Sequence, residues 1–214
     1  MNQDISGVRH DYMGAALQPE NAPADPFPLF AQWMEQALEV DPSDANAMTL
    51  ASVDEKGLPH ARIVLLKGYD EQGFVFYTNY QSHKGLQLTT TGHAALVFWW
   101  PQLSRQVRVE GDVEKTEPAL SDDYFAKRPR GSQMGAWASP QSHRISGRGE
   151  LEARLEKIDH RFSEMPIQRP QHWGGFRLAP AMIEFWQGQP NRLHDRLRYC
   201  LDSDGHWDRV MLAP

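Results

Sequence analysis

Apolar positions recur along this chain with two periods, near 3.6 and 2, and the changes between them mark its elements. Leu29, Phe30, Trp33, Met34, Ala37 and Leu38 sit at helical spacing behind Pro28, which predicts a helix over Pro28–Val40. Ala47–Val53 reads as a strand and Asp54-Glu55-Lys56-Gly57 as the turn after it. Ile63–Leu66 and Phe74–Tyr77 read as two strands of one hairpin, joined by the loop Asp70-Glu71-Gln72-Gly73. Ser82–Thr91 has the pattern of a helix that stops at Gly92. Ala94–Trp100 is almost continuously apolar, so a buried strand is expected. In Arg105–Val113, Val107, Val109 and Gly111 oppose Gln106, Arg108 and Glu110.

Helical spacing returns in Glu117–Lys127, Gln133–Ala138 and Glu150–Phe162, with the polar loop Ser139–Gly149 among them. Strand patterns follow at Trp173–Leu178, Ile183–Gln187, Arg192–Leu201 and, after the turn Asp202–Gly205, Trp207–Leu212. Short strands joined by Asp/Gly turns, with helices inserted, predict an α+β chain built on an antiparallel barrel. Residues 1–26 are polar and broken by Gly7, Gly14, Pro19, Pro23 and Pro26, so they read as an N-terminal arm on a single domain spanning 27–214.

Composition narrows the function classes. With 214 residues, 40% hydrophobic, the chain is long enough for one sizeable core. A formal charge of -6 gives no general attraction for nucleic acid or an anionic membrane, so any anion must be caught by local cations. The single cysteine, Cys200, excludes an intrachain disulfide, and no apolar run reaches membrane-span length. A cytoplasmic protein is expected. No phosphate-binding P-loop, dinucleotide fingerprint, H-E-x-x-H or G-x-S-x-G is present, and the nine histidines show no metal-ligand spacing. No metal is expected.

What remains is cations beside hydroxyls and aromatics. Arg62, Lys67, Thr78, Ser82 and Lys84 surround the central strands and a helix start, where fixed cations and free N–H groups suit a phosphate. Arg62 and Lys67 are an odd number of residues apart, so a regular strand sends them to opposite faces. Either the strand bulges, or two anions are bound, or both residues are solvated strand-end charges. Tyr124, Arg128 and Ser132, at spacing four, fall along one helical edge and suit a phosphorylated small molecule. Arg192, His194, Arg196 and Arg198 alternate with Leu193, Asp195 and Leu197. Period two puts the four basic groups on one strand face, which implies a bound anion or partner carboxylates.

Read together, R-I-V-L-L-K, F-Y-T-N, R-Q-V-R-V-E-G, Y-F-x-x-R-P-R-x-S-Q-x-G-A-W, W-G-G-F-R, I-E-F-W-Q-G and R-L-H-D-R stand in one order. In these motifs, from about Arg9 to Pro214, the chain closely resembles the pyridoxine (pyridoxamine) 5′-phosphate oxidase family. That resemblance implies a homodimer with a split-barrel fold and FMN held between subunits. It implies FMN contacts at Arg62, Ile63, Val64, Leu65, Leu66 and Lys67. Further contacts are implied at Tyr77, Thr78, His83, Lys84 and Gln106, and at Gln141, Ser142, Trp186 and Arg196. It implies that Lys67, Tyr124, Arg128 and Ser132 clamp the substrate phosphate. Arg192, Leu193 and His194 are implied to hold the substrate ring, with Arg192 and His194 catalytic, and Arg9 and Tyr12 to cover it. Two phosphates, one on FMN and one on the substrate, would also resolve the Arg62–Lys67 parity.

The implied reaction oxidises the C4′ carbon of pyridoxine or pyridoxamine 5′-phosphate, passing a hydride to the flavin and then electrons to oxygen, with hydrogen peroxide as by-product. His83 stands where the family often has arginine, which implies weaker or pH-dependent phosphate binding, and Gly147 where a larger residue is usual. Two other readings share the scaffold: an FMN oxidase of the phenazine-pathway type acting on a non-phosphorylated substrate, and a non-catalytic flavin-binding module.

Overall fold

Aspartate and proline set where the first helix begins. Asp25 is extended and its carboxylate accepts from the Phe27 N–H at 2.8 Å, while Pro26 fills the first turn, where no N–H is needed. Helix α1 therefore runs Pro26–Val40, two residues earlier than the periodicity predicts. The computed structural model describes residues 3–7, 11–12, 14–163 and 165–214. Its strands are β1 (Ala47–Val53), β2 (Pro59–Leu65), β3 (Gly68–Asp70), β4 (Gly73–Asn79), β5 (His93–Trp100), β6 (Arg105–Lys115), β7 (Trp173–Gln187), β8 (Asp195–Leu201) and β9 (Trp207–Leu212). The remaining helices are α2 (His83–Thr91), α3 (Pro118–Lys127), α4 (Arg130–Ala138) and α5 (Arg148–Arg161). The strands hydrogen-bond in the order β2-β1-β5-β6-β7-β4-β3, with β8 on β7 and β9 on β8. No helix among the described residues is long and apolar enough to cross a membrane.

The chain forms two compact units. The first comprises Met1–Thr49, Leu96–Glu110 and Pro180–Pro214. Its core gathers Phe30, Trp33, Phe98, Phe185, Leu197 and Tyr199, with Phe30 edge-on to Phe98 at 5.3 Å and Trp33 edge-on to Phe185 at 5.2 Å. Antiparallel pairing of β7 with β8 sets Glu184 opposite Arg198 and Trp186 opposite Arg196.

The second unit comprises Leu50–Ala95 and Gly111–Ala179. Here β4 pairs with the first half of β7, from Phe74 opposite Leu178 to Asn79 opposite Trp173, and buries Phe74, Phe76, Phe176 and Leu178. A satellite core of Phe125, Phe162, Ile167 and Trp173 lies under α3–α5. Ser82 caps α2 by accepting from Gly85 N–H at 3.2 Å, and Gly92, left-handed at φ 71°, ends it.

Five sequence expectations give way. Strand β4 makes its hairpin with the short β3, through Glu71 and Gln72, because β2 ends at Leu65 and is the neighbour of β1. The break at Leu66–Lys67 removes the parity argument, since Arg62 and Lys67 are not on one strand. Trp173–Gln187 is one strand rather than two: Pro180 lies after the last β4 partner, Leu178, and before the first β8 partner, Met182, where neither ladder needs its missing N–H. Tyr124, Arg128 and Ser132 do not share a helix, because Pro129 forces Arg128 out of helical geometry, to φ -71° and ψ 146°, and α4 restarts beyond it. Strand β8 begins only at Asp195. Pro190–Arg192 form a tight turn with Asn191 at φ 57° and Arg192 at φ 64°, so Arg192 and His194 precede the strand and only Arg196 and Arg198 share its face.

Candidate functional site

Two constellations carry the candidate residues, one in each unit. In the second unit, the end of β2, strand β4, the start of α2, the α3–α4 junction and the loop at Gln141 enclose a cavity of about 480 Å³. Ile63, Val64, Leu65, Lys67, Tyr77, Thr78, Lys84, Tyr124, Arg128, Ser132 and Gln141 all line it. One wall is an aromatic stack. Tyr77 lies on Tyr124 with ring centres 4.0 Å apart and planes 14° apart, and Trp173 continues the stack 5.5 Å from Tyr77. The stack is tight because the paired strand carries glycine: a Cβ on Gly175 would stand 2.5 Å from Thr116 Oγ1 and 3.0 Å from the Tyr77 ring. Burial raises the phenol pKa of both Tyr77 and Tyr124, so both are neutral hydroxyl donors at ordinary pH.

The Arg128 guanidinium sits 4.5 Å over the Trp173 ring, and its Nη1 is buried with no hydrogen-bond partner. Burial pushes its pKa down. The Arg128 side chain lines a cavity that also holds Lys67 and Ser132, and a desolvated cation with an unused donor in such a wall suits an anion. At another edge, Gln141 Oε1 accepts from Thr78 Oγ1 at 3.3 Å and Lys84 Nζ at 3.2 Å. Burial, with Arg62 nearby, pulls the Lys84 pKa down.

Several predicted residues lie outside this cavity's lining. Arg62 donates from Nη1 to Ser52 Oγ at 2.6 Å and from Nη2 to Gln87 Oε1 at 3.3 Å, a partly buried network supplied by β1 and α2. Leu66 is in the core. His83 lines a separate cavity of about 370 Å³ with His60 and Gln87. Ser142 is exposed beside Gln141, in the left-handed region at φ 71°.

The first unit holds the other set. Trp186 and His194 are 4.6 Å apart, and Tyr12 stands edge-on to both, at 5.5 Å and 5.4 Å. His194 Nδ1 accepts from the Gln189 N–H at 3.0 Å, which leaves the proton of the neutral ring on Nε2. Burial and the Arg192 charge hold the His194 pKa below its ordinary value. Arg192 is exposed in a backbone region that costs an arginine on the order of 1–3 kcal/mol. Leu193 is exposed, and Gln106 is half-buried on β6. Asp195 accepts from Leu17 N–H at 3.0 Å and Gln189 Nε2 at 2.7 Å, tying the arm to the strand. Arg9 lies outside the described residues.

Sequence reasoning missed Glu184, whose buried carboxylate pairs with Arg196 at 3.0 Å. It therefore answers part of the charge on the arginine row. Its signal was its place two residues before Trp186, on the same strand face. Trp173 was missed as well, although its W-G-G-F-R motif stood out.

Residues 34–162 match the family model described as pyridoxamine 5′-phosphate oxidase, and residues 173–214 match the pyridoxine 5′-phosphate oxidase C-terminal dimerisation region. A Chromohalobacter salexigens protein named pyridoxine/pyridoxamine 5′-phosphate oxidase is 56% identical over 215 residues, covering 100% of both chains. One of the same name from Pseudomonas paraeruginosa is 52% identical, again covering 100% of both chains. Among solved structures, PhzG from Burkholderia lata, in complex with tetrahydrophenazine-1-carboxylic acid, superposes with a TM-score of 0.86 at 28% identity, covering 94% of this chain and 99% of that one. A Nostoc punctiforme FMN-binding protein related to pyridoxamine 5′-phosphate oxidase gives 0.70 at 17% identity, covering 93% and 99%. The α+β antiparallel split-barrel expectation agrees with these neighbours.

Proposed function

Because the chain belongs to the pyridoxamine 5′-phosphate oxidase family, we propose that it oxidises the C4′ carbon of pyridoxine or pyridoxamine 5′-phosphate to the aldehyde of pyridoxal 5′-phosphate, as an FMN-dependent homodimer with oxygen as final acceptor. The observation that carries this reading is the buried, unpartnered Nη1 of Arg128. A cation left unsatisfied in a cavity with Lys67, Ser132 and two neutral phenols has the chemistry of a phosphate monoester clamp.

When bound, FMN supplies the two-electron acceptor for the hydride that leaves C4′. Thr78, Lys84 and Gln141 form a polar edge suited to its phosphate and hydroxyls, and Ile63–Leu65 offer backbone groups along the same cavity. Lys67, Tyr124, Arg128 and Ser132 bind the substrate phosphate and fix its distance from the reacting carbon. His194, with its proton on Nε2, and Arg192 orient the pyridine ring through its polar substituents, and Tyr12 covers it. With Nδ1 occupied by the Gln189 N–H, only Nε2 of His194 faces a proton-transfer role.

The likeness to PhzG favours a second reading, oxidation of a larger substrate without phosphate. Against it stands the clamp, which has no use there. An anaerobic absorbance titration of the FMN-loaded protein separates the two. Bleaching of the flavin by pyridoxine 5′-phosphate, none by pyridoxine at equal concentration, and recovery in air are expected. Equal bleaching by both, or by neither, would overturn the proposal.

A further inference from the structure

Glu184 is a charged side chain buried in the first unit, 3% exposed, between core residues Ile183 and Phe185. A buried carboxylate is retained only where its charge is answered. Here Arg196 answers it with a two-pronged contact, Nε to Oε1 at 3.1 Å and Nη2 to Oε2 at 3.1 Å. Arg108 Nη1 adds a longer contact to Oε2 at 3.8 Å, while its Nη2 pairs with Glu110. The remaining terminal nitrogen of Arg196, Nη1, donates to the Ala213 carbonyl at 3.0 Å. Arginine has five N–H groups. Three are committed, and one remains on each terminal nitrogen.

Such pairs contribute little net stability against an apolar replacement of similar shape. What a fork-to-fork contact does supply is a fixed orientation. Strand register sets Arg196 opposite Trp186, and Glu184 projects from the same face as Trp186. Without the carboxylate, Arg196 shares this face with Arg108 and Arg198, and like charges would drive its long side chain toward solvent.

We propose that Glu184 is a positioning residue: it locks Arg196 in the one orientation that presents its two free N–H groups to the bound flavin cofactor. The cofactor then meets a preformed donor pair, and no arginine rotamer must be ordered on binding. This rests on the reading of Arg196 as an FMN contact.

The test is a double-mutant cycle read by FMN titration of the apo-protein through quenching of flavin fluorescence. Glu184→Gln keeps the shape and removes the charge, and is expected to weaken FMN binding roughly ten- to a hundredfold. In an Arg196→Met background the same substitution is expected to change the dissociation constant less than about twofold. Should Glu184→Gln not fold, Glu184→Asp retains the charge but is too short for the fork, and is expected to behave alike. Equal weakening in both backgrounds, or unchanged binding in the single variant, would overturn the inference while leaving the FMN reading intact. Wild-type protein that takes up no FMN, or an Arg196→Met variant that binds it normally, would remove that reading and this inference together.

Discussion

Arg128→Met pits the needs of the ligand against those of the empty fold. In the wild-type protein the guanidinium carbon lies 4.5 Å from the Trp173 ring and 5.6 Å from Phe125, contacts worth about 0.5–2 kcal/mol together. Against this, Nη1 is buried without a partner, a cost of about 1–3 kcal/mol. Methionine fills much of the same stem volume, regains about 0.3–1.5 kcal/mol by sulfur–aromatic contact and leaves no orphan donor. The apo-variant is therefore expected to be about 1 kcal/mol more stable, raising Tm by roughly 2–4 °C for a chain of this size. The phosphate ester loses a charge-assisted bond of about 1.5–3 kcal/mol, so KM rises roughly 10- to 150-fold. Because that bond is made equally in ground and transition states, kcat changes little. Calorimetry of the apo-protein and steady-state oxidation of pyridoxine 5′-phosphate read the two effects. A variant that melts several degrees lower with an unchanged KM would show that Arg128 only holds the α3–α4 junction together.

Other outcomes follow from single contacts. Ser82→Ala removes the α2 cap and the 2.7 Å bond from Ser82 Oγ to Asn79 O, and urea unfolding is expected to show a loss of about 1–2 kcal/mol. Gly175→Ala places a methyl against Thr116 Oγ1 and the Tyr77 ring; a loss of about 1–3 kcal/mol is expected, with altered near-ultraviolet dichroism from the displaced stack. His194 titrates below its ordinary 6.5 through burial and Arg192. Between the two values the unfolded chain binds more protons, so this group's contribution to stability is complete above 6.5 and is lost as pH falls through the folded value. Arg192→Gln is expected to move the His194 titration, followed by proton NMR, toward higher pH. An unmoved titration would show that the Arg192 charge does not reach the ring.

Local patterns were legible where one residue's chemistry fixes the backbone. Strands β1 and β9 and the α2 stop at Gly92 stand where alternation and glycine put them. The arginine row was misread because a strand pattern cannot reveal a left-handed pair. Nothing in N-R-L-H announces that Asn191 and Arg192 turn before Asp195 starts the ladder. The hairpin was misread because adjacency in sequence favoured β2 as the partner of β4, whereas β2 hydrogen-bonds to β1. Tyr124, Arg128 and Ser132 line one cavity despite the wrong helical argument. Pro129 kinks the path so that residues of two helices and their junction face the same space. Glu184 escaped because a carboxylate between Ile183 and Phe185 looks like an ordinary outward strand position until its ion-pair partner Arg196, diagonal to it on β8, is known.

The left-handed backbone at Arg192 also bears on how the chain tolerates change. Glycine adopts that conformation at little steric cost, so a library sorted for heat resistance alone is expected to enrich Arg192→Gly. Such winners would melt higher and turn over poorly. Stabilising this protein by directed evolution therefore calls for a growth or turnover screen alongside the thermal one, with position 192 held fixed.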